Sequence, residues 1–153
     1  MVVGLTAFME LTGSRRRRLE IELGIASLPE LTEFLRELAA RLRWSEEATQ
    51  RLYLIGEEAL TSLIQQTEDK AAEHATPRLR VLARQDGAAV ELEFVAAVGE
   101  ENLEDHIALL GDRVETPDER EFSLRLLRHF ASSVRHQQYH NIDIVTVRVD
   151  GAG

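Results

Sequence analysis

The stretch Arg51–Gln66 constrains the fold more than any other part of the chain. Apolar or small side chains recur along it at steps of three and four residues, which predicts a helix with one buried stripe. The members of this stripe are Leu52, Ile55, Ala59, Ser62 and Leu63. Glu58 and Ser62 are about one helical turn apart, so they lie on the same side of the helix. The sequence therefore predicts an amphipathic helix that carries a polar pair.

Alternation of apolar and polar residues marks the strands. It runs over Leu19–Ile25, which predicts the first strand. Two further alternating runs, Arg78–Ala83 and Ala88–Val95, flank the segment Gln85–Gly87, whose Asp-Gly pair is typical of a β-hairpin turn. A last alternating run, Ile142–Val149, predicts a strand that closes the sheet.

Capping signals mark the helices. The spelling Ser27–Glu30 resembles a capping box with an early proline, and it predicts a helix that ends near Arg43. Ser45 and the two glutamates after it predict the start of the next helix, which contains the amphipathic stretch. Two later helices are expected over Asn102–Leu110 and Asp118–His136.

The resulting order of elements is strand, helix, helix, hairpin, helix, helix, hairpin. This order predicts an α+β fold, a two-layer sandwich in which helices cover one face of a mostly antiparallel sheet. A chain of 153 residues favours one domain. We place this domain at residues 19–150, after an apolar and basic segment at 1–18 and before a tail at 151–153.

Composition excludes several classes of protein. A formal net charge of −9 argues against binding to nucleic acid, because such binding depends on cations that neutralise phosphates. The hydrophobic share of 44% and the charged share of 29% are typical of a soluble globular domain. The absence of cysteine excludes disulfides and thiolate metal sites, and it fits a reducing, cytosolic setting.

Residues 57–66, EEALTS followed by LIQQ, resemble the EEALTN-(V/A)IRH helix of the GHKL (histidine-kinase-like, Bergerat-type) ATPases, in particular the anti-sigma factor serine kinases. The resemblance covers about Leu28–Val149 in the order and spacing of elements. It implies that Glu58 occupies the position of the catalytic glutamate, which polarises the attacking hydroxyl or water. It also implies that Ser62 replaces the Asn that ligates Mg²⁺, and that Gln66 replaces a His.

Other positions of the family pattern have also diverged. The second hairpin strand of the family ends in DxGxG, whose Asp binds the adenine amino group; here Ala96 stands at that Asp, and only Gly99 matches a turn glycine. The helix predicted at 118–136 resembles the family segment RGLGLRLIRRLVDSVRY, but Glu121 and Ser123 replace its GxG. Side chains there would crowd a phosphate, and Glu121 would repel one from a helix N-terminus.

These departures predict a regulatory or interaction domain that keeps the ATPase-like fold, uses no cofactor and is not an enzyme. In this reading Glu58 is a vestigial catalytic residue. The alternative is a stand-alone anti-sigma-factor-like serine kinase or ATPase that binds ATP and Mg²⁺ and uses Glu58 as general base. The missing acid at Ala96 favours the first reading.

The N-terminal segment has two interpretations. Residues 1–10 are mostly apolar, and Arg15–Arg18 follow them. They are either an ordinary tail with a solvated charge run, or the end of a transmembrane helix with its basic cytoplasmic anchor. The stretch GLTAFMELTGSRRRRLE resembles the junction in bacterial uracil–xanthine permeases that carry an ATPase-like C-terminal domain. That resemblance implies a membrane-embedded transporter part as partner and a place on the cytoplasmic side of the inner membrane.

If the chain stands alone, we expect a cytoplasmic protein with a protein partner instead. In the permease interpretation, exposed Phe8 and Met9 of the isolated fragment would favour artificial packing between copies, which gives a homo-oligomer. His129, His136 and His140 form a further candidate set, since imidazole triads hold zinc or copper. The competing interpretation is that polar residues there serve a hairpin. No acid is obviously placed beside them, so we expect no metal.

Overall fold

The computed structural model describes residues 16–68, 77–97, 125–139 and 142–151. Within these ranges the chain forms five strands and three α-helices. The strands are β1 (Arg16–Glu22), β2 (Arg78–Asp86), β3 (Ala89–Ala97), β4 (Ser133–Gln138) and β5 (Ile142–Asp150). The helices are α1 (Leu28–Leu42), α2 (Glu46–Glu68) and α3 (Arg125–Phe130). No helix of these ranges combines the length and apolarity needed to cross a membrane.

The strands form one sheet in the order β1-β2-β3-β5-β4, and every neighbouring pair is antiparallel. All three helices contribute to one hydrophobic core on a single face of this sheet. Phe94 and Val147 of the sheet are fully buried there, together with Leu35 of α1, Ile55 of α2 and Leu127 of α3. The predicted α+β architecture, with helices on one face of an antiparallel sheet, is confirmed.

The two helix starts differ in how they are capped. Ser45 Oγ accepts a hydrogen bond from the backbone N–H of Ala48 at 3.1 Å, so the predicted cap of α2 is confirmed. Ser27 occupies the N-cap position of α1 but makes no capping hydrogen bond through its side chain. The capping-box interpretation of Ser27–Glu30 is therefore wrong in its chemistry, although the helix begins where it was expected.

The predicted hairpin turn is confirmed at Gly87. Its φ of 63° lies in the left-handed region that favours glycine. β2 continues to Asp86, beyond its predicted end at Ala83. β3 begins at Ala89 rather than Ala88 and continues to Ala97, beyond its predicted end at Val95.

Trp44 fixes the α1–α2 turn to one end of the sheet. Its indole lies against Gly151 so closely that a Cβ on that glycine would clash. The Gly151 N–H donates to the Ala88 carbonyl at 3.0 Å. Nearby, Arg51 Nη2 donates to the Asp150 carbonyl at 3.1 Å. The helical layer and the end of β5 are thus tied together by direct contacts.

The first strand begins earlier than the apolar alternation predicts. β1 starts at Arg16 rather than Leu19, so three arginines assigned to the N-terminal segment belong to the sheet. It ends at Glu22 rather than Ile25, because Ile25–Ser27 form a short 3-10 helix before α1. Arg17 points toward the helices, where its guanidinium lies 5.8 Å from the centre of the Phe34 ring and 3.3 Å from Glu37 Oε2. The long stem of arginine packs against apolar surface while its charge finds a partner, which is why the strand tolerates it.

The helix predicted over Asp118–His136 is wrong at its C-terminal end. The helix ends at Phe130, and Ser133–Gln138 form the edge strand β4. Ser132 redirects the chain, because its backbone N–H and its hydroxyl both donate to the Arg148 carbonyl, at 2.9 and 3.0 Å. The helix expected over Asn102–Leu110 lies outside the described residues.

Candidate functional site

The polar pair of α2 lies at the edge of the core. Ser62 is only 4% exposed, and its hydroxyl donates to Glu58 Oε1 across 3.5 Å. Glu58 is half-buried. The helix therefore places a carboxylate and a hydroxyl together, as the sequence predicts. Whether this pair can bind a ligand depends on the side chains of the sheet that lie beside the helix.

Ala96 is fully buried on the face of the sheet that carries the helices. Its Cα partner in the register of β3 and β5 is Asp143, so an acid stands beside Ala96 on the neighbouring strand. Sequence reasoning missed this acid because the pairing register joins residues far apart in the chain. Gly99, Glu121 and Ser123 lie outside the described residues.

The Asp143 carboxylate faces a buried histidine. His136 Nε2 and Asp143 Oδ1 are 3.3 Å apart, and the two side chains are 5% and 2% exposed. With the ring proton on Nε2, the imidazole donates to the carboxylate. A hydrogen bond between buried polar groups is costly to break, because neither group reaches water. The expectation that no acid lies beside the histidines is therefore wrong for His136.

The two candidate histidines that the structure describes, His129 and His136, lie in different surroundings. His129 is exposed on α3 and packs edge-to-face on Phe130, with ring centres 5.0 Å apart. His136 is buried on β4, and His140 lies outside the described residues. In the described ranges, no group of three or more His, Cys, Asp or Glu residues is arranged to hold a metal ion.

Two described positions differ from what the family resemblance implies for a nucleotide with Mg²⁺. Ala96 presents a methyl group where that resemblance implies an acceptor for an adenine amino group. Mg²⁺ prefers several oxygen ligands in octahedral geometry, and here the hydroxyl of Ser62 already bonds to Glu58. Asp143 is the nearby acid on the sheet, and it bonds to His136. The Ser62 hydroxyl proton and one oxygen each of Glu58 and Asp143 are thus bonded to protein groups.

The second face of the sheet, here called the open face, carries no described helix. Charged side chains are frequent on it, but Val95, Ala97, Ile142 and Ile144 form a second buried apolar cluster on the same face. Arg84 pairs with Glu91 at 3.3 Å, and Arg148 pairs with Asp86 at 2.8 Å. A shallow cavity of about 210 Å³ is lined by Arg16, Leu82, Ala83, Arg84, Glu91 and Glu93.

Glu93 is the chemically unusual residue of the open face. Burial raises the pKa of its carboxyl, and the neighbouring Glu91 raises it further. The more distant Arg135, Arg84 and Arg16 act in the opposite direction without cancelling this shift. Sequence analysis did not single out Glu93, because alternation alone does not reveal which charged face becomes partly covered.

Comparison with known proteins finds a similarity of fold. No protein-family model and no curated protein matches the chain. Among solved structures, it is similar to the nucleotide-free catalytic domain of the histidine kinase ThkA, with a TM-score of 0.41, 10% identity, and coverage of 88% of this chain and 97% of that one. A second crystal form of the same domain gives a TM-score of 0.38 and 9% identity, with coverage of 88% and 96%. At these scores the likeness says nothing about the chemistry of the individual residues.

Proposed function

We propose that this chain is a non-catalytic regulatory or interaction domain, in which an ATPase-like fold no longer binds nucleotide. The observation that carries the proposal is the environment of Ala96. A buried methyl group occupies the position where the resemblance requires an acid, and the acid beside it, Asp143, is bonded to His136.

A bound nucleotide would lack protein partners at the Ala96 and Ser62 positions. A hydrogen bond to a charged group contributes about 1.5–3 kcal/mol, and every 1.4 kcal/mol or so changes affinity about tenfold. Loss of the acid at Ala96 removes one such hydrogen bond, and loss of the amide at Ser62 removes a ligand of Mg²⁺. We therefore expect affinity for ATP to fall by orders of magnitude relative to an intact site.

The test is a calorimetric titration with ATP and Mg²⁺ up to millimolar nucleotide, supported by thermal shift. We expect no saturable heat and no rise in Tm. The single substitution Ser62→Asn should not create binding, because one ligand cannot replace the missing acid. Saturation of the unmodified protein in the micromolar range would overturn the proposal and support the alternative of a working serine kinase or ATPase.

We also propose that the domain acts as the cytosolic part of a nucleobase transporter, through contacts with its membrane-embedded part. The support is the resemblance of residues 4–20 to the permease junction. Since Arg16 opens β1, the junction with any membrane segment lies before that residue. The reading frame of the native gene should then continue upstream into apolar spans of about twenty residues. A gene that starts at Met1 would return the chain to the class of stand-alone cytoplasmic proteins with a soluble partner.

A further inference from the structure

β1 is one edge of the sheet, and no described strand lies beyond it. An edge strand presents unpaired backbone N–H and C=O groups, and these can pair with the edge of another molecule. Proteins commonly block such edges with charge. In β1 the charges follow an ordered pattern, because the sequence RRRLEIE is basic in its first half and acidic in its second.

This pattern is complementary to itself when two copies run antiparallel. If the two strands are centred on Leu19, Arg16 of one copy lies opposite Glu22 of the other, and Arg18 lies opposite Glu20. All four of these side chains occupy alternate positions and share the open face. Leu19 lies opposite its own symmetry mate on the helical face. Opposite charges directly across an antiparallel pair are stabilising.

We propose that two copies of this chain associate through their β1 edges, antiparallel and centred on Leu19, to form one continuous sheet. A two-fold axis perpendicular to the sheet generates the arrangement, so the interface is isologous and closes after two copies. The helices of both copies then lie on the same side of the joined sheet. The proposal concerns self-association and does not depend on the absence of nucleotide binding.

The outer charged pair of the proposed interface lies at the surface, whereas the inner residues Arg18 and Glu20 already take part in interactions within the chain. Arg16 and Glu22 are exposed, and neither has an ion pair within the described residues. Glu20 Oε1 accepts from Arg80 Nε at 3.0 Å and from Arg80 Nη2 at 2.7 Å, while its second oxygen takes no part in those bonds. These bonds hold the pKa of Glu20 below its usual value, so the residue stays anionic. Arg17 points to the opposite face and remains with Glu37.

The other edge of the sheet lacks this complementarity. β4 reads SVRHQQ, and Arg135 is its one permanently charged side chain. No antiparallel register of β4 with itself creates a pair of opposite charges between Arg135 and a carboxylate. The pattern therefore distinguishes β1 from β4. A pairing of seven residues per strand covers less area than a standard interface of about 1,600 Å², so we expect a weak, concentration-dependent dimer.

The primary test is sedimentation equilibrium of the whole chain and of two charge-reversal variants, Arg16→Glu and Glu22→Arg. Each variant alone places like charges opposite each other at two symmetric positions, and we expect self-association to weaken by about tenfold. A mixture of the two variants should restore the dimer. In the mixed pair the two introduced charges lie opposite each other with opposite sign, and the original Arg16–Glu22 pair is kept at the other end of the interface.

The matched control is Arg135→Glu on β4, which should leave self-association unchanged. Far-UV circular dichroism verifies that each variant is folded. Charge reversals on β1 that leave the dimer intact, or a mixture that stays as weak as each variant alone, would contradict the proposed pairing.

A cross-linking experiment tests the register. The chain contains no cysteine, so Leu19→Cys introduces a single thiol, which in the proposed dimer faces its symmetry mate at a distance suited to a disulfide. Glu22→Cys is the control, because its two thiols lie at opposite ends of the interface. The proposal predicts a covalent dimer for the first variant and none for the second. A chain that is monomeric at millimolar concentration, or equal cross-linking of both variants, would overturn it.

Discussion

At the scale of single residues, the molecule contains two acids in opposite situations. Asp143 is almost completely buried but bonded to His136. Glu93 is half-buried among charges on the open face, with a raised pKa and no ion pair among the described residues. The first acid stabilises the fold through its partner. The second carries a cost of desolvation that no direct bond within the described ranges offsets.

Replacing Glu93 by Gln should raise the free energy of unfolding at neutral pH. The folded state raises the pKa of this carboxyl, chiefly through burial, so its ionised form opposes folding. This cost is complete above the folded-state pKa and disappears below the pKa of the unfolded chain. The stability of the unmodified protein relative to the variant should thus increase as the pH falls through the folded-state value. Urea unfolding of both proteins across this range measures the difference, and Glu57→Gln, at an exposed position of α2, is a control that should not stabilise.

Replacing Asp143 by Ala should lower the free energy of unfolding by about 1–3 kcal/mol, because buried His136 loses the acceptor of its Nε2 proton. The double substitution of Asp143 and His136 should cost less than the sum of the two single ones, since the residues act as a pair. Urea titrations of the four proteins give the coupling free energy. Additive losses would mean that the 3.3 Å contact contributes nothing.

At the scale of elements, periodicity predicted the strands and helices whose apolar residues face one layer. It placed α1, α2, the β2–β3 hairpin and β5 correctly. Periodicity failed for β4, because Val134 is the one apolar residue in Ser133–Gln138 and no alternation marks a strand. The helical spacing of the segment before β4 also continues to Val134. Periodicity also began β1 too late, because arginines occupy positions that apolar residues usually fill. Asp143 was missed as a site residue for a different reason: a pairing register is a property of the sheet and cannot be read from one strand.

The two N-cap serines provide a matched pair for the helix starts. Ser45→Ala should destabilise the protein by about 1 kcal/mol, because it removes the acceptor of the Ala48 N–H. Ser27→Ala should cost less, since its hydroxyl makes no such bond. Chemical denaturation of both variants measures the two losses in the free energy of unfolding. Equal losses would show that the cap of α2 contributes nothing beyond ordinary packing.

At the scale of the whole molecule, helices cover one face of the sheet, and the other face carries many charges beside a small buried apolar cluster. β1 lies at the edge where the two faces meet. If copies associate there through exposed ion pairs, raising the salt concentration from about 0.05 to 0.5 M should weaken the dimer, because the Debye length shrinks severalfold over this range. Sedimentation at both concentrations measures the effect. Association that strengthens with salt would point to apolar contacts instead, such as those predicted for residues 1–10.

The packing of Trp44 against Gly151 has a practical consequence. The chain contains one tryptophan, so its fluorescence arises from one place, where the α1–α2 turn meets the end of β5. An emission shift to longer wavelength with unchanged circular dichroism would signal release of this contact alone, ahead of global unfolding. The molecule thus carries a built-in optical reporter of how firmly its helical layer is attached to its sheet.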